Sequence, residues 1–170
     1  MPNSVQLSKI FVTVGTTEFD DLIRTASEPA VLELLASKYS CRTLLLQIGR
    51  GAYEPENNFS SRPIVDYYRF KPSIRPDLSE ADLVISHAGA GTCLETLELG
   101  RPLVVVVNET LHDNHQFELA RQLFDDGHLF YCTPQTLLNT LNLLDLSRLK
   151  PWKAANPLIF TDWLDERMGF

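Results

Sequence analysis

The stretch from Leu83 to Glu95, L-V-I-S-H-A-G-A-G-T-C-L-E, carries an apolar run through a glycine pair into a helical pattern. Leu83 to Ser86 has almost no polar face, which is how a parallel strand buried on both sides reads. Gly89 and Gly91 lack a Cβ, so the backbone is expected to turn sharply there and approach a ligand closely with its amides outward. The helix that follows, expected over Thr92 to Leu99, adds unpaired first-turn N–H groups and the positive end of its macrodipole. An anionic group is stabilised at such a place. Glu95, one turn in, would repel phosphate at contact distance but can accept hydrogen bonds from ribose hydroxyls, so sugar recognition suits it better. Glycine-rich turns of this kind also occur as plain tight connections, and the Gly-x-Gly spacing alone leaves both readings standing. The C-terminal end of a parallel strand is where open α/β sheets take ligands, which favours a diphosphate cradle.

Outward from that stretch, strands and helices alternate. Lys9 to Val14 reads as a first strand ended by Gly15-Thr16-Thr17, and Asp20 to Ala36 is helical, split or kinked by Pro29. Arg42 to Ile48 is a second strand running into Gly49-Arg50-Gly51, and Ala52 to Pro63 is the longest loop. Ile64 to Phe70 is a third strand, Pro76 to Ala81 a short helix, and Leu103 to Val107 a fifth strand after Gly100-Arg101-Pro102. Asp113 to Asp126 reads as a helix with Asp113 as N-cap, Gln116 at capping-box spacing and Gly127 as its stop. Leu129 to Cys132 is a short sixth strand, after which Thr133 caps another helix with Pro134 in its first position. The alternation predicts an α/β, Rossmann-like parallel sheet with helices on both faces. The loops at Gly15, Gly49 and Gly89 then share the C-terminal edge of the sheet as walls of a nucleotide site. Residues 1–150 are expected to form that binding domain, and 151–170 a C-terminal tail. The tail carries Leu158, Ile159, Phe160, Trp163, Leu164 and Phe170, to be packed on its own domain or docked on a partner.

At 170 residues the chain has the length of one domain, and its net charge of −7 without a Lys/Arg cluster argues against a nucleic-acid partner. Cys41, Cys93 and Cys132 are odd in number and widely spaced, so neither a disulfide framework nor a CxxC metal site can be drawn, and a reducing, cytoplasmic setting follows. The N-terminal residues lack the pattern of a signal peptide, and no apolar run reaches the roughly 18 to 20 residues of a membrane span.

The nucleotide chemistry narrows by elimination. A P-loop needs Gly-Lys-Ser/Thr, and after Gly91 the chain reads Thr-Cys-Leu-Glu. A dinucleotide fingerprint needs a third small residue where Leu94 stands. No Asp-x-Asp occurs, so backbone amides and a helix N-terminus would have to stabilise a leaving diphosphate, and no metal or other cofactor is expected.

The runs F-V-T-V-G-T-T at Phe11 to Thr17, Q-I-G-R-G at Gln47 to Gly51, A-D-L-V-I-S-H-A-G-A-G-T-C-L-E-T-L-E at Ala81 to Glu98, G-R-P-L-V-V-V-V-N-E at Gly100 to Glu109, D-N-H-Q-F-E-L-A at Asp113 to Ala120 and G-H-L-F-Y-C-T at Gly127 to Thr133 carry a resemblance. Together they resemble the catalytic subunit of the eukaryotic UDP-N-acetylglucosamine transferase of dolichol-linked oligosaccharide assembly, the pathway that serves asparagine-linked glycosylation. More distantly, the chain is similar to the C-terminal half of the bacterial transferase that forms lipid II.

The resemblance implies the donor-binding half of a GT-B glycosyltransferase. Gly89, Ala90, Gly91 and Thr92 correspond to the loop and helix start that hold the UDP diphosphate, and Glu95 to the ribose-binding glutamate. Gly15, Thr16 and Thr17 face phosphate and sugar, and His87 lines the donor loop or bonds neighbouring backbone. Asn114, His115 and Gln116 fall where the bacterial relative reads the sugar hydroxyls with two glutamines; here that pair is His-Gln. Phe70 and Lys71 lie near the uracil grip. The implied reaction is inverting, β1,4 transfer of N-acetylglucosamine to N-acetylglucosaminyl-diphosphodolichol. The general base is expected on a separate, membrane-anchored, acceptor-binding subunit that also recruits the chain to the cytosolic face of the endoplasmic reticulum, so no catalytic base is assigned here.

Other residues have plainer expectations. His112 and His115 lack a third ligand and suit a cap or solvent role, and His128 is expected to be structural. Cys93 is either a thiol acidified near a helix start or a small buried residue. Arg50 and Arg69 reach phosphate or solvent. Two other classes stay open: a lone Rossmann enzyme responding to NAD(P), and a non-catalytic paralogue that keeps fold and partner without turnover.

Overall fold

The computed structural model describes residues 5–60, 62–109 and 115–152, with the backbone alone at 115–117. Lys9–Thr13 (β1), Thr43–Gln47 (β2), Ile64–Tyr68 (β3), Leu83–His87 (β4), Leu103–Val106 (β5) and Phe130–Cys132 (β6) form one sheet in the order β3-β2-β1-β4-β5-β6. Every neighbouring pair is parallel, with Phe11 of β1 standing between Leu45 of β2 and Val84 of β4. The helices are Asp20–Ala26 (α1), Pro29–Tyr39 (α2), Arg75–Glu80 (α3), Ala90–Glu98 (α4), His115–Asp125 (α5) and Leu137–Asn142 (α6).

Apolar residues on both sides of the central strands need cover on both sides. On one face Ile10, Val12, Leu44, Leu46, Ile85 and Val104 pack with Leu22 and Ile23 of α1, Leu35 of α2 and Leu141 of α6. On the other, Phe11, Val84, Leu103 and Val105 pack with Leu78 of α3, Leu97 of α4 and Leu119 and Leu123 of α5. This is the doubly wound, Rossmann-like sheet expected from the alternation of elements. The chain runs outward through β1, β2 and β3 and then returns to β4 on the other side of β1. The β1 and β4 loops therefore flank the topological switch point, the crevice where sheets of this kind bind ligands.

The differences from the sequence reading are local. Of the two expectations for Pro29 the split holds, with α1 ending at Ala26 and Pro29 opening α2, because its fixed φ suits a first helical turn and its missing N–H costs nothing there. Helix α2 runs on to Tyr39 rather than stopping at Ala36. The helix after the glycine pair begins at Ala90 instead of Thr92, with Gly89 as its N-cap, so Gly91 lies inside the first turn. Thr133 and Pro134 do start a helix, but the first turn is a 3-10 turn over Pro134–Thr136, closed when the Thr133 N–H donates to Thr136 Oγ1 at 3.0 Å. Gly127 ends α5 in a left-handed conformation, φ +83°. The proposed Asp113 cap and the C-terminal tail beyond residue 152 lie outside the described residues.

Candidate functional site

Three connections meet at the C-terminal edge of the sheet. After β1, the Gly15 N–H donates to Thr13 Oγ1 at 2.9 Å, and Thr17 Oγ1 donates to the Val14 carbonyl at 2.9 Å, fixing the turn while Thr16 and Thr17 remain exposed. Gly15 takes φ +63° and Gly49, after β2, takes φ +60°. A Cβ on Gly49 would fall 2.1 Å from the Thr17 carbonyl oxygen, and the Arg50 N–H donates to that oxygen at 2.9 Å. The two loops are thus interlocked through backbone. Asp20 extends the brace, accepting from the amides of Ala52 at 3.2 Å and Tyr53 at 3.3 Å.

The third connection is the Gly89 turn. Gly89 has φ −77°, an ordinary conformation, so a sharp left-handed turn is not what demands glycine here. The neighbouring imidazole is: a Cβ at Gly89 would lie 2.3 Å from His87 Nε2, and one at Gly15 would lie 3.0 Å from His87 Cε1. His87 is half-buried, wedged between the β1 and β4 loops. Burial pulls its pKa below the ordinary histidine value, and a hydrogen bond to the Thr13 carbonyl offsets part of that. The ring therefore bonds backbone, as one of the two sequence expectations had it, and also lines a cleft.

Within α4 the first intrahelical bond runs from the Cys93 N–H to the Gly89 carbonyl at 3.0 Å, leaving the amides of Ala90, Gly91 and Thr92 as first-turn donors. No acidic residue sits in that turn. A Cβ on Gly91 would meet nothing within 4 Å, so the packing of this chain does not require glycine there. Cys93 is buried, with its thiol pushed up to about 12 by burial, which settles it as a core residue. Glu95, one turn on, keeps a third of its side chain exposed and pairs with Arg75 Nη1 at 3.4 Å. Nothing in the sequence spacing singles out Arg75; only the docking of α3 beside α4 brings it to Glu95.

A cleft of about 180 Å³ opens on this edge, lined by Thr17, Glu18, Phe19, Arg50, His87, Ala88 and Asn108. Of these, Glu18 and Phe19 carried no sequence signal, and Asn108 stood only within the Gly100 to Glu109 run with no role of its own. Asn114 lies outside the described residues, as do the side chains of His115 and Gln116, although α5 begins at His115. Phe70 is 52% exposed beyond β3, and Lys71 is drawn to Asp77 at 3.1 Å and over the Tyr68 ring. His128 is structural as expected, its Nδ1 at 3.1 Å from the Lys150 carbonyl. Among the described residues no group of three or more His, Cys, Asp or Glu is gathered for a cation, and no helix is long and apolar enough to cross a membrane.

This architecture has known counterparts. The glycosyltransferase family 28 C-terminal domain matches residues 9–160. The chain belongs to glycosyltransferase family 28. This family 28 domain is 57% identical over 128 residues to the UDP-N-acetylglucosamine transferase subunit ALG13 of Homo sapiens, a match that covers 75% of this chain and 11% of that relative. In fold it is similar to the NMR solution structure of ALG13, with TM-score 0.66, 25% identity and coverage of 94% of this chain and 96% of that one. It is also similar to Acinetobacter baumannii MurG, with TM-score 0.68 and 22% identity over 97% of this chain and 50% of that one. The family 28 fold seen here is thus the size of half a GT-B enzyme.

Proposed function

We propose that this chain is the donor-binding subunit of a transferase that moves N-acetylglucosamine from UDP to N-acetylglucosaminyl-diphosphodolichol. The observation that carries the reading is the combination at α4: free first-turn amides, open space over Gly91, and a partly exposed Glu95 one turn further on. Family membership and the high identity to a UDP-N-acetylglucosamine transferase subunit support the same donor.

In this reading the amides of Ala90, Gly91 and Thr92 hold the diphosphate with Gly15, Thr16, Thr17 and His87 nearby, and Glu95 accepts from the ribose hydroxyls. The exposed Phe70 offers an apolar face to uracil. Asn114, His115 and Gln116 read the sugar. The acceptor's 4-hydroxyl attacks the anomeric carbon, the bond to the UDP oxygen breaks with inversion, and the hydroxyl proton passes to a base. Negative charge grows on the leaving diphosphate, where the α4 amides and helix dipole stabilise it without reorganising. No cofactor or metal is assigned to this chemistry.

A cleft of about 180 Å³ is smaller than the usual 300–1,000 Å³ of a small-molecule pocket, as expected for half a site. On the likeness to a transferase subunit, the base and the acceptor cavity are assigned to a membrane-anchored partner, which would hold the chain at the cytosolic face of the endoplasmic reticulum. Residues 1–150 form the donor domain in this scheme, and 151–170 contribute to docking. The test is transfer of radiolabelled N-acetylglucosamine from its UDP donor to a dolichyl- or phytanyl-diphosphate acceptor, with the chain alone and with the partner, wild type and Glu95→Ala. Transfer that needs the partner and disappears in Glu95→Ala is the expected result. No transfer under conditions where a known active pair works would favour a non-catalytic paralogue.

A further inference from the structure

Arg50 and Arg69 stand equal in the sequence as candidates for a phosphate, and the fold separates them. Arg69 is committed: its Nη1 donates to the carbonyls of Gly49 at 3.1 Å and Gly51 at 2.8 Å, and its Nη2 pairs with Glu54 at 2.7 Å. It braces the turn that presents Arg50. The Arg50 side chain is exposed, lines the cleft with Thr17 and His87, and makes no hydrogen bond or ion pair among the described residues. Its backbone is nonetheless held, by the N–H bond to the Thr17 carbonyl and by the left-handed Gly49 that no larger residue could replace at that contact.

The other cations described along this edge are engaged. Lys71 pairs with Asp77 at 3.1 Å and Arg75 with Glu95 at 3.4 Å. His87, half-buried with its pKa lowered below the ordinary histidine value, brings no positive charge at neutral pH. Glu18 also lines the cleft, unpaired with Arg50, and disfavours an anion on its own side. A fixed backbone carrying an uncommitted guanidinium is suited to a phosphate, because the planar fork can make two parallel bonds to one oxyanion group.

We propose that Arg50 binds an oxygen of a diphosphate bound in this cleft. The identity of that diphosphate rests on the function proposed above, in which the nucleotide donor and the lipid-linked acceptor both carry the group. The test compares wild type, Arg50→Lys and Arg50→Gln. KM values for donor and acceptor are measured separately with partner-containing membranes, and binding of UDP, inorganic pyrophosphate and uridine to the chain is measured by calorimetry.

Arg50→Gln is expected to raise one of the two KM values about tenfold and to weaken pyrophosphate binding, with uridine binding unchanged and Arg50→Lys recovering part of the loss. A rise in donor KM with weaker UDP binding assigns the donor. A rise in acceptor KM with UDP binding intact assigns the acceptor. Both KM values and pyrophosphate affinity within about twofold of wild type would overturn the proposal. If the wild-type chain shows no transfer, the transferase reading falls, while pyrophosphate binding still decides Arg50: lost in Arg50→Gln it supports the site, and unchanged it removes it.

Discussion

His87 and Gly89 are matched to each other across the β4 turn: a methyl group at position 89 would lie 2.3 Å from His87 Nε2 and 2.7 Å from Cε1. The imidazole occupies the space a side chain would need, and it is held there by the β1 loop on its other side. The glycine that looks like a ligand-approach residue is thus first a packing residue for the histidine two positions before it.

Gly89→Ala should therefore destabilise the chain by about 1–3 kcal/mol, the usual cost of overpacking a tight site. Urea denaturation measures it. Adding His87→Ala should restore much of the loss, because the clash has one source, and a double-mutant cycle would show strong coupling. Additive effects would mean that the turn itself, rather than the ring, requires glycine.

Gly91 should behave in the opposite way. Its Cβ position is open, and it lies in the first turn of a helix, so Gly91→Ala should leave stability unchanged or raise it by up to about 1 kcal/mol. Donor KM should nevertheless rise by about an order of magnitude, since the methyl group enters the space assigned to the diphosphate. A stable variant with unchanged donor KM would move the diphosphate away from this turn.

The Arg75–Glu95 pair is exposed on both sides, with 56% and 33% of the side chains accessible, so breaking it should cost no more than about 1 kcal/mol in stability. Arg75→Ala frees the Glu95 carboxylate to reorient. Donor KM should rise a few-fold, about 1 kcal/mol in binding, with kcat little changed. Steady-state kinetics at low and high salt distinguish this from a general loss of charge.

His87 gives a pH signature. Its folded pKa is lowered by burial, so between the folded and unfolded values the unfolded chain binds more protons, and stability falls as pH drops through the ordinary histidine range toward the folded value. His87→Gln should flatten that part of the stability profile. Thermal unfolding from pH 7.5 to pH 5 in both forms, about the window in which an unperturbed histidine titrates, is the measurement.

The three thiols should be inert in the native state. Burial pushes Cys41 up to about 11 and Cys93 and Cys132 up to about 12, so little thiolate exists near neutral pH. Ellman's reagent at pH 8 should detect them only after denaturant is added, at pH values where a free cysteine already ionises appreciably.

Much of this molecule is legible in one dimension. Leu83 to Ser86 and Leu103 to Val106 read as buried strands because parallel strands covered on both faces need unbroken apolar residues, and the helices between them supply the crossovers. The position of Glu95 one turn after the glycine pair is equally local, fixed by helix periodicity. Element boundaries slipped where propensity and packing competed, as at Ala90, where α4 starts two residues before the expected Thr92 although glycine at 91 weakens the first turn.

Amino-acid order by itself determined the alternation of strands and helices, the parallel sheet that follows from it, and the place of the glycine turns at one edge. Tertiary structure alone decided the partnerships between distant residues: His87 against Gly15, Gly49 against the Thr17 carbonyl, Arg75 with Glu95, and Arg69 spent on the turn that leaves Arg50 free. Periodicity acts over a few residues and is written in the chain. Which charges meet across a sheet edge depends on strand order and loop packing, set by burial of the whole core.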